Sequence, residues 1–390
     1  MNPVKNKPRK VLHIIQGFGT GGAETWLLQV AEYVQKHPEA GLVIDFLAAG
    51  GEAYRYDEAI KATGARIFYI TYSMSKLTAF RKAFVDLLKR EQYDAIHDHQ
   101  DFASGWHFLL GIGHLPAVRI SHLHNPYNFV RNYVIGPQRY FSFKAGRLMM
   151  ALLTTKITGT SDAVMDEYGY NKWPYRKKRI APLYCGLEIE RFRFNAGAKA
   201  SLCHELKWDL SSRICLFAGR IGLDMPGAIN QKNPGFAFGI AKELTASYPS
   251  WKFIFAGVKG ELGEQMEAES ALPGDSIRFL GVRTDIDRLM SAADVLLFPS
   301  IWEGLGMVAV EAQAAGLQVL MSDTVPKEAI IAEDCVTVKS LSDGIENWAF
   351  TVNDIYEKRR SANRLSYNQV IASSVFSLEN SVKKLISAYQ

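Results

Sequence analysis

Two doubly wound α/β domains in one chain are what this sequence predicts, and three observations predict them. Short apolar runs rich in Val, Ile, Leu and Phe alternate with helical segments along most of the chain. The alternation occurs twice, on either side of a small, polar stretch (195–200). At 390 residues the chain is also too long for one ordinary core. Strands alternating with helices imply parallel sheets built from right-handed crossovers.

In the first half the strand candidates are residues 11–16, 42–48, 66–70, 95–99, 118–124, 156–160 and 179–183. In the second they are 214–219, 251–257, 277–281, 295–299 and 318–322. Residues 1–195 form the expected N-terminal domain and 196–370 the C-terminal one. A closing helix over about 371–390, with Leu378, Val382, Leu385 and Ile386 at helical spacing, is expected to pack back on the first domain. Two such sheets facing each other leave a cleft at the carboxyl ends of their strands, where ligands of these folds bind.

Composition narrows the class. Hydrophobic residues at 48% and charged ones at 22% read as a globular protein. No apolar run reaches the roughly 18–20 residues that cross a bilayer, and the basic start MNPVKNKPRK lacks the long apolar stretch of a secretory signal. Four scattered cysteines without metal-ligand spacing read as buried, reduced thiols and favour the cytoplasm. Residues 1–195 hold 26 Lys and Arg against 17 Asp and Glu, and the remainder 19 against 23. A basic half suits anionic lipid or a phosphorylated acceptor. No nucleic-acid module is present in the sequence, so no nucleic-acid partner is expected.

The strongest motif is PSIWEGLGMVAVEAQAAGLQVLMSD, residues 299–323. A strand ends at Pro299 and Ser300, a loop carries Glu303, Gly304, Leu305 and Gly306, and a helix runs from about Met307 to Ala315. Glycines there let backbone N–H groups approach a ligand closely, and N–H groups at a helix start favour a diphosphate or sugar oxygens. Glu303 lies in the loop and Glu311 about one turn into the helix. Two carboxylates so spaced can accept hydroxyls from different parts of one elongated polyol. As a bland alternative, both glutamates would be solvated charges.

In this context the E-x7-E pair Glu303…Glu311, within P-S-x-x-E-G-x-G-x-x-x-x-E-A-x-A-x-G, resembles the retaining glycosyltransferases of glycosyltransferase family 4, of GT-B fold, in their exopolysaccharide and capsule type. The resemblance extends through GTGGAETWLLQVAEYV, SHLHN, FAGRIG, FLGVRTDIDRLMSAADVLLFPS and SDTVPKEA. It implies that Glu303 and the Gly304–Met307 backbone hold donor-sugar hydroxyls and Glu311 the ribose hydroxyls. Arg220 and Lys232 would grip the diphosphate, whose growing charge fixed cations stabilise. His124 would reach the reacting sugar with Asn125 beside it, Val282 and Arg283 would lie in base-reading loops, and Gly19, Gly21 and Gly22 would form a bare loop by the phosphates or acceptor. The family's N-G-I-D segment reads CGLE here, with Cys185 and Glu188 in place of Asn and Asp.

The implied donor is a nucleotide-diphosphate sugar and the implied acceptor a sugar or lipid-linked saccharide, with no further cofactor. Lys172, Arg176, Lys177, Lys178 and Arg179 near Trp173 and Tyr175, and the segment RYFSFKAGRLMM (139–150), suit peripheral contact with an anionic cytoplasmic leaflet. His97 and His99 share a strand face, as do His122 and His124. No Cys or carboxylate pattern completes a metal site there, so no metal is expected. Asp285 and Asp287 form a D-x-D, but Thr284 is expected to cap a helix that carries both in its first turn.

Gly17, Gly19 and Gly22 also satisfy the dinucleotide pattern G-x-G-x-x-G, with Asp45 downstream. A nicotinamide-dependent oxidoreductase is therefore the second reading. A sugar-nucleotide epimerase and a binding protein without catalysis are further ones on the same architecture.

Overall fold

The computed structural model describes residues 7–19, 21–132, 134–172, 175–222, 230–270, 276–359 and 363–390. Trp173 and residues 223–229, in the stretch between Arg220 and Lys232, lie outside them. The chain forms two compact units, one of Met1–Leu187 with Leu378–Gln390 and one of Glu188–Ser377. The boundary falls a few residues before the composition break at 195, and the return to the first unit begins at Leu378 rather than near 371.

The first unit holds the strands β1 (Arg9–Ile15), β2 (Leu42–Ala48), β3 (Arg66–Tyr69), β4 (Ala95–Asp98), β5 (Val118–Leu123) and β6 (Lys156–Gly159). The second holds β7 (Arg213–Ala218), β8 (Trp251–Ala256), β9 (Ile277–Gly281), β10 (Val295–Phe298), β11 (Gln318–Ser322) and β12 (Val336–Lys339). The sheet orders are β3-β2-β1-β4-β5-β6 and β12-β11-β10-β7-β8-β9, and every pairing among these strands is parallel. Renumbered within its own unit, each sheet has the doubly wound order 3-2-1-4-5-6. Each therefore has one place where the winding reverses, between β1 and β4 and between β7 and β10.

The central strands are buried on both faces, which explains their unbroken apolar runs. Ile214, Cys215, Leu216 and Phe217 are at most 1% exposed, as are Val11, Leu12 and Ile14. Each such aliphatic or aromatic side chain contributes roughly 1.5–3 kcal/mol through burial. In the second unit, helices from Pro234 to Ser247 and from Ile345 to Arg359 flank the sheet, with Phe238, Leu244, Trp348 and Val352 in the core beside Trp251 and Phe255. Arg364 ties two helix ends together: its guanidinium donates to the carbonyls of Met290, Ser291, Ala293 and Ala315. A cation there answers the negative end of each helix.

Three points of the sequence reading are corrected. Residues 179–183 are not a strand. Ile180 and Leu183 donate to the carbonyls of Ile157 and Gly159, but only Arg179 forms an isolated bridge, because Pro182 has no N–H to continue a ladder. The sixth strand of the second sheet, β12, was not expected; it is four residues long and only partly buried. Thr284 does not cap a helix either. That helix runs from Ile286 to Ala292 with Asp285 at its N-cap, and only Asp287 lies in its first turn.

Candidate active site

In the second unit the reversal point brings the strongest motif together with Lys232. Gly219 follows β7, and a Cβ on it would lie 3.2 Å from Lys232 Cγ, so the lysine stem rests against bare backbone. Asn230 positions the lysine by accepting its backbone N–H on Oδ1 at 3.1 Å, while its Nδ2 donates to the carbonyls of Ile221 and Gly222 at 3.0 and 2.8 Å. Asn233 follows in the left-handed region at φ 55°, and Pro234 opens the next helix. Arg220 lies one residue beyond Gly219, and its own carbonyl is 3.5 Å from the same Asn230 amide.

Lys232 Nζ is 2.6 Å from Glu303 Oε1 and 4.9 Å from the centre of the Phe298 ring. Ser300 Oγ donates to the same glutamate oxygen at 2.6 Å, and Gln231 Nε2 donates to the other at 3.1 Å. Ser300 is held in turn, its carbonyl accepting from Ser322 Oγ and Thr324 Oγ1 at 2.5 and 2.7 Å. A carboxylate has about four acceptor positions. Three are filled by described residues, leaving one on Oε2 that suits a hydroxyl donor. The ammonium group keeps donors beyond the one given to Glu303, and these suit phosphate oxygens.

Glu303 is 7% exposed, and Gly304, Leu305 and Gly306 beside it are buried. Gly306 sits at φ 97° and ψ 50° as the N-cap of the helix Met307–Ala314. Its conformation and its closeness to Phe298 and Val325 leave little room for a Cβ. Glu311 lies further along that helix and is half-buried. Removal from solvent pushes its carboxyl up to about 7, opposed by the charges of Arg191 and Lys232. Arg191, which sequence reasoning missed, donates to the Thr284 carbonyl at 2.8 Å. No local pattern marks it.

Val282 is exposed, whereas Arg283 is committed to Asp285 and Glu205, both through contacts of 2.8 Å. Arg288 donates to Asp285 as well. The first-named partner, Arg283, holds the Asp285 carboxyl well below the usual range. The D-x-D aspartate is thus an ion-pair partner on the protein surface.

In the first unit the bare loop after β1 leads into the helix Gly22–Lys36, with Gly21 as its N-cap; Gly19 precedes it with no atom near where a Cβ would stand. His124 and Asn125 follow β5 and are held by Asp101. Its carboxylate accepts from His124 N at 2.8 Å, Asn125 N at 3.4 Å and Asn125 Nδ2 at 2.8 Å. Asp101 itself takes a left-handed φ of 46°. Burial pushes its carboxyl up to about 6 against those donors. His97, His99 and His122 are buried beside His124, with His13 joining them from β1. Asp45 is buried and bound by Arg66 and Tyr93, at 3.0 and 2.9 Å, so it is not placed as a ribose-binding acid.

Against known proteins, the family model "Glycosyltransferase Family 4" matches residues 20–191, and "Glycosyl transferases group 1" matches residues 211–370. The chain is a GT-B glycosyltransferase. Among its relatives, EpsF of Bacillus subtilis (strain 168) is 27% identical, over 90% of this chain and 88% of EpsF. The capsular polysaccharide biosynthesis glycosyltransferase CapH of Staphylococcus aureus is 23% identical over 97% and 98%. In fold the glycosyltransferase is similar to Anabaena HepE, solved in complex with UDP, at 18% identity and a TM-score of 0.75 over 97% of this chain and 98% of that one. The oxidoreductase reading is not favoured.

Proposed function

We propose that this glycosyltransferase moves a sugar from a nucleotide-diphosphate sugar onto a hydroxyl acceptor with retention, in the synthesis of exopolysaccharide, capsule or another cell-surface glycan. The observation that carries the proposal is the buried Glu303 bound by Lys232 at the glycine-opened start of a helix. In this reading Lys232 and Arg220 stabilise the departing diphosphate, Glu303 and the Gly304–Met307 backbone hold the sugar, and Glu311 holds the ribose. From the likeness of SHLHN to the family's segment, His124 is assigned to the reacting sugar. HepE has been solved with UDP-glucose, and a 24% identical Escherichia coli relative is named as a UDP-Gal-using galactosyltransferase acting on a diphosphoundecaprenol-linked acceptor. Both support a nucleotide-sugar donor, and the second a lipid-linked acceptor. Retention rests on the likeness of the Glu303…Glu311 motif to retaining enzymes. No divalent metal takes part in this reading.

A thermal-shift panel of UDP-, GDP- and ADP-sugars tests the donor, since a ligand at 100 times its Kd stabilises by about 2.7 kcal/mol. Donor hydrolysis that is lost in Arg220→Ala, with the anomer of the released sugar read by NMR, tests the chemistry. If no nucleotide sugar shifts the melting temperature or is turned over, the reading is wrong.

Attachment to an anionic leaflet belongs to the same proposal. The helix Pro137–Leu153 exposes Phe141, Leu148 and Leu152, at 70%, 50% and 62%, with Ile135 before it at 74%. Among the basic residues, Lys178 donates to the carbonyls of Ala151 and Leu152, and Arg179 pairs with Asp162 and Asp166, leaving Lys172, Arg176 and Lys177 exposed. Co-sedimentation with anionic vesicles that weakens in high salt and in Phe141→Asp is the expected result.

A further inference from the structure

Five histidines from β1, β4, β5 and the residues just after them lie on one face of the first sheet. Their ring nitrogens are close enough to suggest a metal cluster, with those of His13, His97 and His99, and of His99, His122 and His124, all within 4.8 Å. The hydrogen bonds argue for something else. His122 Nδ1 is 3.1 Å from His97 Nε2, and His97 Nδ1 is 3.0 Å from the hydroxyl of Tyr389. The same hydroxyl is 3.0 Å from His13 Nε2. His13 Nδ1 is then 2.9 Å from His99 Nε2, and His99 Nδ1 is 2.9 Å from His124 Nε2. The six side chains form one unbranched line, His122–His97–Tyr389–His13–His99–His124. The lone pairs point along this line, from each ring to the next, instead of converging on an ion. Stacked rings reinforce it, with His122 and His124 centroids 4.2 Å apart and His97 and His99 4.3 Å apart.

Such a line has a polarity. A neutral imidazole has one N–H and one bare nitrogen, and a tyrosine hydroxyl donates once. All donors then point the same way: any other arrangement sets two N–H groups or two lone pairs against each other, or makes the buried Tyr389 hydroxyl accept from both arms and leaves its own hydrogen unpaired. Burial lowers all five imidazoles, His13 to about 3 and His124 to about 4, so each is neutral at pH 7. The buried end of the line decides the direction. His122 Nε2 has no partner of good geometry, but the Leu183 carbonyl acts on that ring in the sense that favours an N–H. With the proton on His122 Nε2, every histidine in the line carries its proton on Nε2. His124 Nε2–H then donates to His99, and His124 Nδ1 is left as a bare acceptor.

We propose that Tyr389 is a positioning residue: its hydroxyl joins two arms of the line, fixes the tautomer of His124 and so makes His124 Nδ1 a hydrogen-bond acceptor for a sugar hydroxyl. This rests on the assignment of His124 to the reacting sugar, although the tautomer itself does not. Tyr389 is fully buried, and its helix is locked beside the line by Ser381, which accepts from Trp26 Nε1 at 3.0 Å and donates to the Tyr184 carbonyl at 2.8 Å. Trp26 in turn meets His99 and His122 edge-on, walling off the rings.

The test is long-range proton–nitrogen NMR on protein labelled with ¹⁵N-histidine, without and with Tyr389→Phe, alongside kinetics. In the native chain all five resonances should report Nε2–H. In Tyr389→Phe, His13 loses its acceptor, so the arm His13–His99–His124 should flip to Nδ1–H while His97 and His122 keep Nε2–H. Turnover should fall about tenfold, the value of one hydrogen bond, with donor KM changed by less than about twofold. Mixed or Nδ1–H tautomers in the native chain, or stoichiometric metal on these rings, overturn the proposal even if the variant does not fold. An unchanged His124 tautomer in a folded Tyr389→Phe overturns it as well. A flip without loss of turnover leaves the line standing and removes His124 from the reaction.

Discussion

The two reversal points share a topology and differ in chemistry. Between β7 and β10 the connections that follow the strands carry opposite charges, Lys232 against Glu303, braced by neutral donors from Ser300 and Gln231. Between β1 and β4 the strand ends carry neutral imidazoles joined to one another and to a tyrosine. A charged pair suits binding and releasing a polyanion, because its free valences are strong and can be exchanged. A neutral line cannot hold a diphosphate, but it can present one nitrogen in a defined state. The same winding thus supports two kinds of site, and side chains at the strand ends decide which.

The largest expected effect follows from the charged pair. Lys232→Ala should lower kcat by about 10²–10³-fold, the usual loss when one preorganised group at a developing charge is removed. A variant with near-native turnover would break the contrast between the two units. Glu303→Gln should act in the same direction and weaken donor binding too.

Acid should reveal the neutral line next. The folded imidazoles stay neutral well below 6.5, whereas the unfolded chain takes up protons near 6.5. Below that value the unfolded state binds more protons, so stability is full above about pH 6.5 and falls as the pH drops. Each such histidine adds a slope of about 1.4 kcal/mol per pH unit. Urea midpoints between pH 7 and 5 should drop steeply, and a flat profile would mean that the histidines are charged or exposed.

Glu311 gives a smaller and opposite effect. Its carboxyl titrates near 7 when folded, against 4.5 ordinarily, so its contribution to stability is lost as pH rises through that window. Glu311→Gln should therefore gain stability relative to the native chain between pH 5 and 8. Donor KM should rise about tenfold in the variant, for the loss of a hydrogen bond to a charged group. In the native chain, donor KM should improve from pH 6 to 8 as the carboxylate forms.

The smallest effect is expected at Asp285, where Ala substitution or added EDTA should leave turnover within about twofold. Activity that is lost in EDTA and restored by a divalent cation would overturn the metal-free reading.

Legibility followed distance along the chain. The strands β2, β9 and β11 were readable to the residue because each is a short, mostly apolar run between turn signals. The loop and helix around Glu303 were readable because Ser300, Glu303, Gly306 and Glu311 lie within a dozen positions of one another. Two local misreadings had local causes. Residues 179–183 look like a strand but contain Pro182, and 336–339 alternate too briefly to stand out. Arg283 reads as a binding-loop arginine, yet Glu205 and Asp285 claim it.

By itself, then, the sequence determined the fold class, the twofold repetition of the winding and the motif that carries Glu303. Periodicity and neighbouring residues encode all of these. Only the tertiary structure decided which groups those residues meet. Lys232 reaches Glu303 across 71 positions, and Tyr389 reaches His13 across 376. The physical reason is that a side chain's charge state and tautomer depend on burial and on partners within about 3 Å, and folding brings those partners from anywhere in the chain.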